Sequence, residues 1–353
     1  MNDVILNPNY LAYKLNFESE TVEFLHVEID ELQQLSFLRR DAFDIKLESI
    51  DVPLAHLVDL VNSPNQEILD NPPRFIFHTA FCASTFLSRC LDVRGVSICL
   101  REPQILLDAA NAKRLQWEAR SCNLNHTHLP KLALGLLQKH ANMGGGAAKK
   151  LLIKPINSIN NIIPELLNVS PASKSLMMYT NARNFLLSTI SKGEAAKQTV
   201  RAMFDLLRCD FPHLANLSLS NAIHMSDLKL ILTLWRLQID QAESVMKTFG
   251  AGHRISSVYA ESVIDNLSDT LISANEILEL GLSDEQLQSI VVDDRRYQDA
   301  KNVAQRFSPK EREEKYQAIE NISGSDFQNA YQWMVQSNPS VSLQPQLSSP
   351  LLT

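Results

Sequence analysis

Short apolar runs spaced by polar turns set the pattern of this chain from Arg74 onward. "RFIFH" (Arg74–His78), "VSICL" (Val96–Leu100), "KLLIKP" and "KSLMMYT" each hold about five nearly continuous apolar or strand-forming positions. Between them lie longer segments with apolar residues three and four apart: "REPQILLDAANAKRL", "HLPKLALGLLQKHAN", "NSINNIIPELLNV" and "ARNFLLSTISKGE". Strands without internal alternation are buried on both faces, and strands alternating with helices build a parallel sheet covered on both sides. The pattern therefore predicts an α/β fold: a three-layer sandwich with a mostly parallel sheet of about four to five strands. Before Arg74 the periodicity is shorter. "TVEFLHVEID" alternates as a half-buried strand does, and "SIDVPLAHLVDLVNS" reads as a short helix ending before Pro64. After Gly193 the pattern is helical to Gln336, apart from a short strand at Ile255–Tyr259, and "DLKLILTLWRLQIDQAESVMKTF" forms one long helix.

These readings divide the chain into a small strand-containing lead-in over residues 1–70, an α/β domain over 71–336 with a helical C-terminal half, and a tail over 337–353. The tail, "SNPSVSLQPQLSSPLLT", is rich in Ser, Pro and Gln and is expected to lack structure. "MGGGAAK" reads as a flexible turn.

Composition narrows the function classes. At 353 residues, 45% hydrophobic and 21% charged, the chain has an ordinary globular balance. The net charge of −7 and the lack of a basic block argue against nucleic acid or an anionic membrane as the main partner. No apolar run is long enough to cross a bilayer, and the N-terminus lacks the basic start and apolar core of a signal peptide. The five cysteines are odd in number and form no C-x-x-C pair, so a reducing cytoplasm is expected and a zinc ribbon is not. His126-x-His128 has no adjacent Cys or paired acid and reads as a surface loop, so no metal is expected.

The candidate chemistry sits in "TAFCAST", between the strand ending at His78 and a helix opening with Ser84 and Thr85. Ligands of open α/β sheets bind beyond the carboxyl ends of the strands. Main-chain N–H groups and two hydroxyls at such a turn suit a phosphate, although Ser or Thr serves equally as a plain N-cap. The turn lacks the glycines and lysine of a nucleotide-kinase P-loop. "GGGAAKK" has them, but a strand follows where a helix is required.

"AFCASTFLSRCL" resembles the cofactor loop of the sulfotransferase superfamily, P-[KR]-S-G-[ST]-T-x-L. Cys82 and Ala83 stand at its Ser-Gly, Ser84 and Thr85 at its hydroxyl pair and Leu87 at its leucine. Ala80 replaces the proline, and Phe81 replaces the basic residue that contacts the transferring group. "YTNARNFLLSTISKG" resembles the second cofactor motif, approximately Y-R-[DN]-P-[KR]-D-x-x-x-S. Tyr179, Asn181, Arg183 and Ser188 keep step, and Thr180 stands for the first arginine. "LREPQIL" is similar to the acidic segment after the second strand. Glu261 in "VYAESVIDNLSDTL" holds a family position, and "DDRRYQDAKN" sits where a cofactor-closing loop is expected.

The resemblance spans residues 74–310. It implies a P-loop NTPase/sulfotransferase-like fold that transfers a sulfuryl group from 3′-phosphoadenosine 5′-phosphosulfate to a hydroxyl or amine. Phe81, Cys82, Ala83, Ser84, Thr85, Arg183 and Ser188 would bind the cofactor. Glu102 would be the base, with His78 or Lys154 supplying the donor or cation that Phe81 cannot; Arg101 and Arg74 are further candidates. Losing the loop glycine and basic residue keeps a second reading open: a related nucleotide-binding phosphotransferase, or a P-loop module that binds without catalysis. The expected partners are a small nucleotide and an unidentified acceptor.

Overall fold

The structure, a computed structural model, describes residues 2–38, 48–63, 66–147, 149–211, 214, 225–293 and 308–352. Two sheets form. The first is antiparallel, with order β1-β2-β3: β1 (Tyr10–Asn16), β2 (Thr21–His26) and β3 (Ser49–Pro53). The second is the expected parallel sheet of five strands. Its strands are β4 (Arg74–His78), β5 (Ser97–Arg101), β6 (Lys150–Lys154), β7 (Ser175–Tyr179) and β8 (Ile255–Tyr259), in the order β5-β6-β4-β7-β8. Every residue of β4, β5 and β7 is buried, which is why these strands carry no apolar/polar alternation.

The chain divides into two compact units. The first comprises Met1–Phe77, Thr85–Leu176 and Leu271–Val291. Here β6 pairs in parallel with β4 (Arg74↔Leu152) and with β5 (Cys99↔Leu152). Helices α1 (Ser84–Cys90), α2 (Gln104–Leu115), α3 (Leu129–Gln138) and α4 (Ile163–Val169) supply its helical layers, with α2 and α3 packed on β1. Asp108 of α2 ties helix to strand: its carboxylate accepts the Leu15 N–H at 2.9 Å and the Gln104 amide at 2.8 Å.

The second unit comprises His78–Ser84, Met177–Thr270 and Val292–Thr353. Its helices α5 (Ala182–Ser191), α6 (Glu194–Leu207), α7 (Asp227–Phe249) and α8 (Ala260–Asp265) precede α9 (Leu267–Leu278) and α10 (Asp284–Val292), which belong mostly to the first unit; α11 (Pro309–Ser337) closes the helical half. The long α7 packs against α5, α6 and α11, and its fully buried Trp235 donates Nε1–H to the Thr180 carbonyl at 3.0 Å.

Two local expectations change. Ser49–Pro53, expected as the start of a helix, is β3: Val52 is buried between exposed neighbours and faces Val22 of β2, an alternation that only strand pairing uses. The Ser-, Pro- and Gln-rich segment after Ser337 lies along β8. Ser257 donates its N–H to the Ser349 carbonyl, and Leu351 donates back to Ser257, each at 2.8 Å. Val341 and Leu347 are buried. Unpaired groups on the edge strand β8 supply an ordering force that composition does not record.

Candidate functional site

The loop after β4 has an unusual backbone. Ala80 (φ 53°), Phe81 (φ 50°) and Ala83 (φ 58°) all adopt the left-handed conformation. A side chain there costs about 1–2 kcal/mol per residue, so the missing glycine has not relaxed the turn. Two contacts hold the shape. Thr79 donates its N–H to the Met178 carbonyl at 3.0 Å, and the Ala80 N–H donates to His78 Nδ1 at 3.1 Å. His78 is buried, and accepting at Nδ1 puts its ring proton on Nε2. It acts here as an internal acceptor that shapes the turn. Cys82 is 1% exposed and its thiol donates to the Met178 carbonyl at 3.7 Å. This places it as a packing residue and not as an open nucleophile. Ser84 is buried and Thr85 half-buried at the start of α1. Successive main-chain N–H groups of such turns form anion-binding concavities; here the Ala80 N–H is already given to His78.

Phe81 fills one wall of the turn. Its ring meets Phe185 of α5 edge-on at 5.1 Å between centroids, and the Lys192 ammonium lies 4.5 Å from the Phe81 centroid. A cation therefore reaches the loop from the far end of α5 through the face of the aromatic ring. Sequence reading did not select Lys192. It stands at the C-cap of α5, distant in sequence from the loop, and only the packing of α5 brings it there.

The second motif forms as a helix start. Asn181 caps α5, its side chain accepting the Asn184 N–H at 2.8 Å. Ser188 is buried on α5, and its carbonyl accepts the Ser191 hydroxyl at 3.1 Å. Arg183 turns to α11: Nε and Nη2 meet Glu320 at 2.8 and 2.7 Å, and Nη2 meets Glu313 at 3.0 Å. Those carboxylates hold its guanidinium above the ordinary arginine range, although burial opposes the charge. At Thr180, where the family's first arginine would stand, the structure brings in an anion. Glu261 accepts the Thr180 hydroxyl at 3.4 Å, the Asn184 amide, and Arg312 Nη2 at 3.1 Å. Asn181 also donates to the Tyr259 hydroxyl at 2.6 Å and to Gln344 at 3.2 Å. Burial, aided by the Glu261 charge, pushes the Tyr259 phenol well above its ordinary range.

In the first unit Glu102 and Lys154 find each other. Lys154 Nζ donates to Glu102 Oε1 at 2.6 Å, the Glu102 N–H donates to the Lys154 carbonyl at 2.7 Å, and Glu102 sits at φ 57°. The side chain of Lys154 is 2% exposed, that of Glu102 15%, and the ammonium lies 5.7 Å from the Phe37 ring centroid. The residues expected as base and cation are thus the two halves of one ion pair. Of the other cation candidates, Arg101 pairs with Asp92 and donates to the Leu35 carbonyl at 2.7 Å, while Arg74 donates to the Leu278 carbonyl at 3.0 Å. His128 Nδ1 accepts the Asn125 N–H at 3.1 Å. Among the described residues no cluster of three or more His, Cys, Asp or Glu is placed to hold a metal. The "DDRRYQDAKN" segment, apart from Asp293, lies outside the described residues.

No protein-family model and no curated protein matches the chain. Among solved structures, a sulfotransferase from Mycobacterium avium is similar in chain path, with a TM-score of 0.40 and 10% identity over 82% of this chain and 81% of that one.

Proposed function

We propose that this chain is a sulfotransferase-like protein that binds 3′-phosphoadenosine 5′-phosphosulfate at the Ala80–Thr85 loop and passes its sulfuryl group to a hydroxyl or amine acceptor. The observation that carries the reading is the strained loop at the carboxyl end of β4, with Lys192 held over Phe81 at its side. Three left-handed residues without a glycine are an expense that folding alone does not require, and such strain collects at functional turns. In the transfer, acceptor oxygen or nitrogen bonds to sulfur as sulfur leaves the bridging phosphosulfate oxygen. The acceptor's proton passes to a base, and adenosine 3′,5′-bisphosphate departs. The loop N–H groups and Lys192 would oppose the charge that gathers on the departing oxygen. Buried Ser188 on α5 and the hydroxyls of Ser84 and Thr85 supply the neutral contacts.

A second reading, nucleotide binding without sulfuryl transfer, is favoured by one specific observation. Arg183 is engaged by Glu313 and Glu320, and the Glu261 carboxylate lies against Thr180. Both features disfavour a ligand carrying a 3′-phosphate. Calorimetric titration with adenosine 3′,5′-bisphosphate and, separately, with ATP and Mg²⁺ tests the choice. Saturable binding of the bisphosphate, weakened by Thr85→Ala and Ser188→Ala, supports sulfuryl transfer. Binding of ATP alone selects the second reading, and heat from neither rejects both.

A further inference from the structure

A cavity of about 590 Å³ opens in the second unit, where the segment after α11 passes over β7 and β8. Tyr179, Ser257, Tyr259 and Ser262 form one side; Gln344, Gln346, Leu347 and Leu351 form much of the other. The volume falls in the range of small-molecule sites, roughly 300–1,000 Å³. Two features define what it can hold.

The first is charge: among the described residues, no Asp, Glu, Lys, Arg or His lines it. A charged ligand would lose its hydration there without gaining a counter-ion. The second is how the polar tips are used. The Tyr259 hydroxyl accepts from Asn181 and is hydrogen-bonded to Glu261. The Tyr179 oxygen meets the Leu347 main chain, and the Ser257 hydroxyl donates to the Leu347 carbonyl at 3.2 Å. With these groups committed to holding the walls, the tyrosines offer the cavity mainly their rings, 5.5 Å apart between centroids and tilted by 48°. Val258, Leu347, Leu351 and Leu352 add apolar surface; Ser262 and Gln346 add neutral hydrogen-bonding groups.

We infer that this cavity is a binding site for a neutral small molecule with a planar aromatic body and one or two hydrogen-bonding substituents. The segment 344–352 forms its outer wall, so the site exists only while that segment lies on β8. The inference does not rest on the nucleotide reading and is tested without a nucleotide.

The test titrates the full chain with 2-naphthol, neutral at pH 7, and with 2-naphthoate, its anionic counterpart, by calorimetry. Saturable one-to-one binding of 2-naphthol, with 2-naphthoate at least tenfold weaker, is the expected result. Ser262→Phe, which fills the cavity from α8, should weaken 2-naphthol at least tenfold while leaving the circular dichroism spectrum and melting temperature close to those of the parent. Should Ser262→Phe unfold the protein, Gln346→Trp from the opposite wall makes the same measurement. No saturable 2-naphthol binding up to its solubility limit overturns the site. Equal binding of the two probes overturns the argument from a neutral lining, and an undiminished affinity in a folded filling variant overturns the location.

Discussion

Removing one member of the Glu102–Lys154 pair should cost more when the residue removed is the glutamate. The Lys154 ammonium is 2% exposed and the Glu102 carboxylate 15% exposed, with 2.6 Å between them. In Lys154→Met the carboxylate keeps partial access to water, and the thioether fills most of the lysine's volume. A loss of about 1–3 kcal/mol follows, the cost of one unsatisfied, partly buried polar group. In Glu102→Leu the ammonium remains almost dry, facing the Phe37 ring at 5.7 Å. Uncompensated buried charges of this kind cost about 3–5 kcal/mol. The double variant leaves neither charge behind and should fall well short of the sum, with a coupling energy of at least about 1.5 kcal/mol. The assay is urea unfolding of the four proteins, followed by tryptophan fluorescence and by circular dichroism so that a transition of one unit alone is recognised. Equal losses in the two single variants, or additivity in the double, would refute the reasoning, because either outcome means that the ammonium is not held in a dry site by Glu102.

Three further outcomes follow from individual contacts. Lys192→Gln should weaken adenosine 3′,5′-bisphosphate about 5- to 10-fold at low salt, Lys192→Arg should restore most of the affinity, and the difference should shrink as ionic strength rises; an unchanged affinity in Lys192→Gln removes this residue from the loop's electrostatics. Ala83→Gly relieves a left-handed alanine worth about 1–2 kcal/mol against an unfolded-state entropy term of about 0.4–1 kcal/mol, so its urea midpoint should rise slightly, whereas Ala83→Val should lower it. Lys139, whose ammonium donates to the Val4 and Ile5 carbonyls, is pushed by burial down to about 7. Above that pH the unfolded chain holds a proton that the folded chain lacks, so stability should rise between pH 7 and 9 by up to about 1.4 kcal/mol per pH unit, and Lys139→Met should flatten this rise in chemical unfolding measured across that range.

What could be read from the sequence follows from how far each feature reaches along the chain. β4 to β7 are legible because a strand buried on both faces announces itself as a continuous apolar run. α5 is legible because the apolar residues of "ARNFLLSTISKGE" recur three and four apart. β3 was hidden because Ser49–Pro53 has only one buried position, Val52, and its identity depends on pairing with β2. The segment after Ser337 was hidden by its composition: Val341 and Leu347 are isolated among Ser, Pro and Gln, and what orders them is the open edge of β8. Side-chain partnerships were the least legible. Arg183 meets Glu320 across 137 residues, and Lys192 meets Phe81 only because α5 packs beside the loop. Motif spacing places an arginine and a serine in the expected register, but it carries no information on which distant carboxylate the arginine will choose.

That choice decides how the charges of the second motif are spent. With Thr180 in place of a cation, the position has no positive charge of its own, and Glu261 fills the space with a carboxylate that Arg312 balances. Arg183 is balanced in turn by Glu313 and Glu320. The helix start after β7 is therefore electrostatically closed: each charge has an opposite partner within about 3 Å, and a 3′-phosphate entering there must break a bidentate pair or displace a carboxylate. At the Ala80–Ser84 turn the nearby charge is a cation: the Lys192 ammonium lies 4.5 Å from the Phe81 ring centroid, beside left-handed Ala80, Phe81 and Ala83. A ligand whose charge is concentrated at the 5′ end suits this division better than one that spreads its charge to both ends. Comparing adenosine 5′-phosphosulfate with its 3′-phosphorylated form, in the parent and in Glu261→Gln, puts the argument to the test. The parent should show little gain from the 3′-phosphate, and Glu261→Gln should raise affinity for the 3′-phosphorylated form alone by about 5- to 10-fold, the usual worth of one removed like-charge contact. A parent that already favours the 3′-phosphorylated form by a hundredfold would mean that Arg183 releases its carboxylates on binding, and the closed cluster would then be a latch and not a barrier.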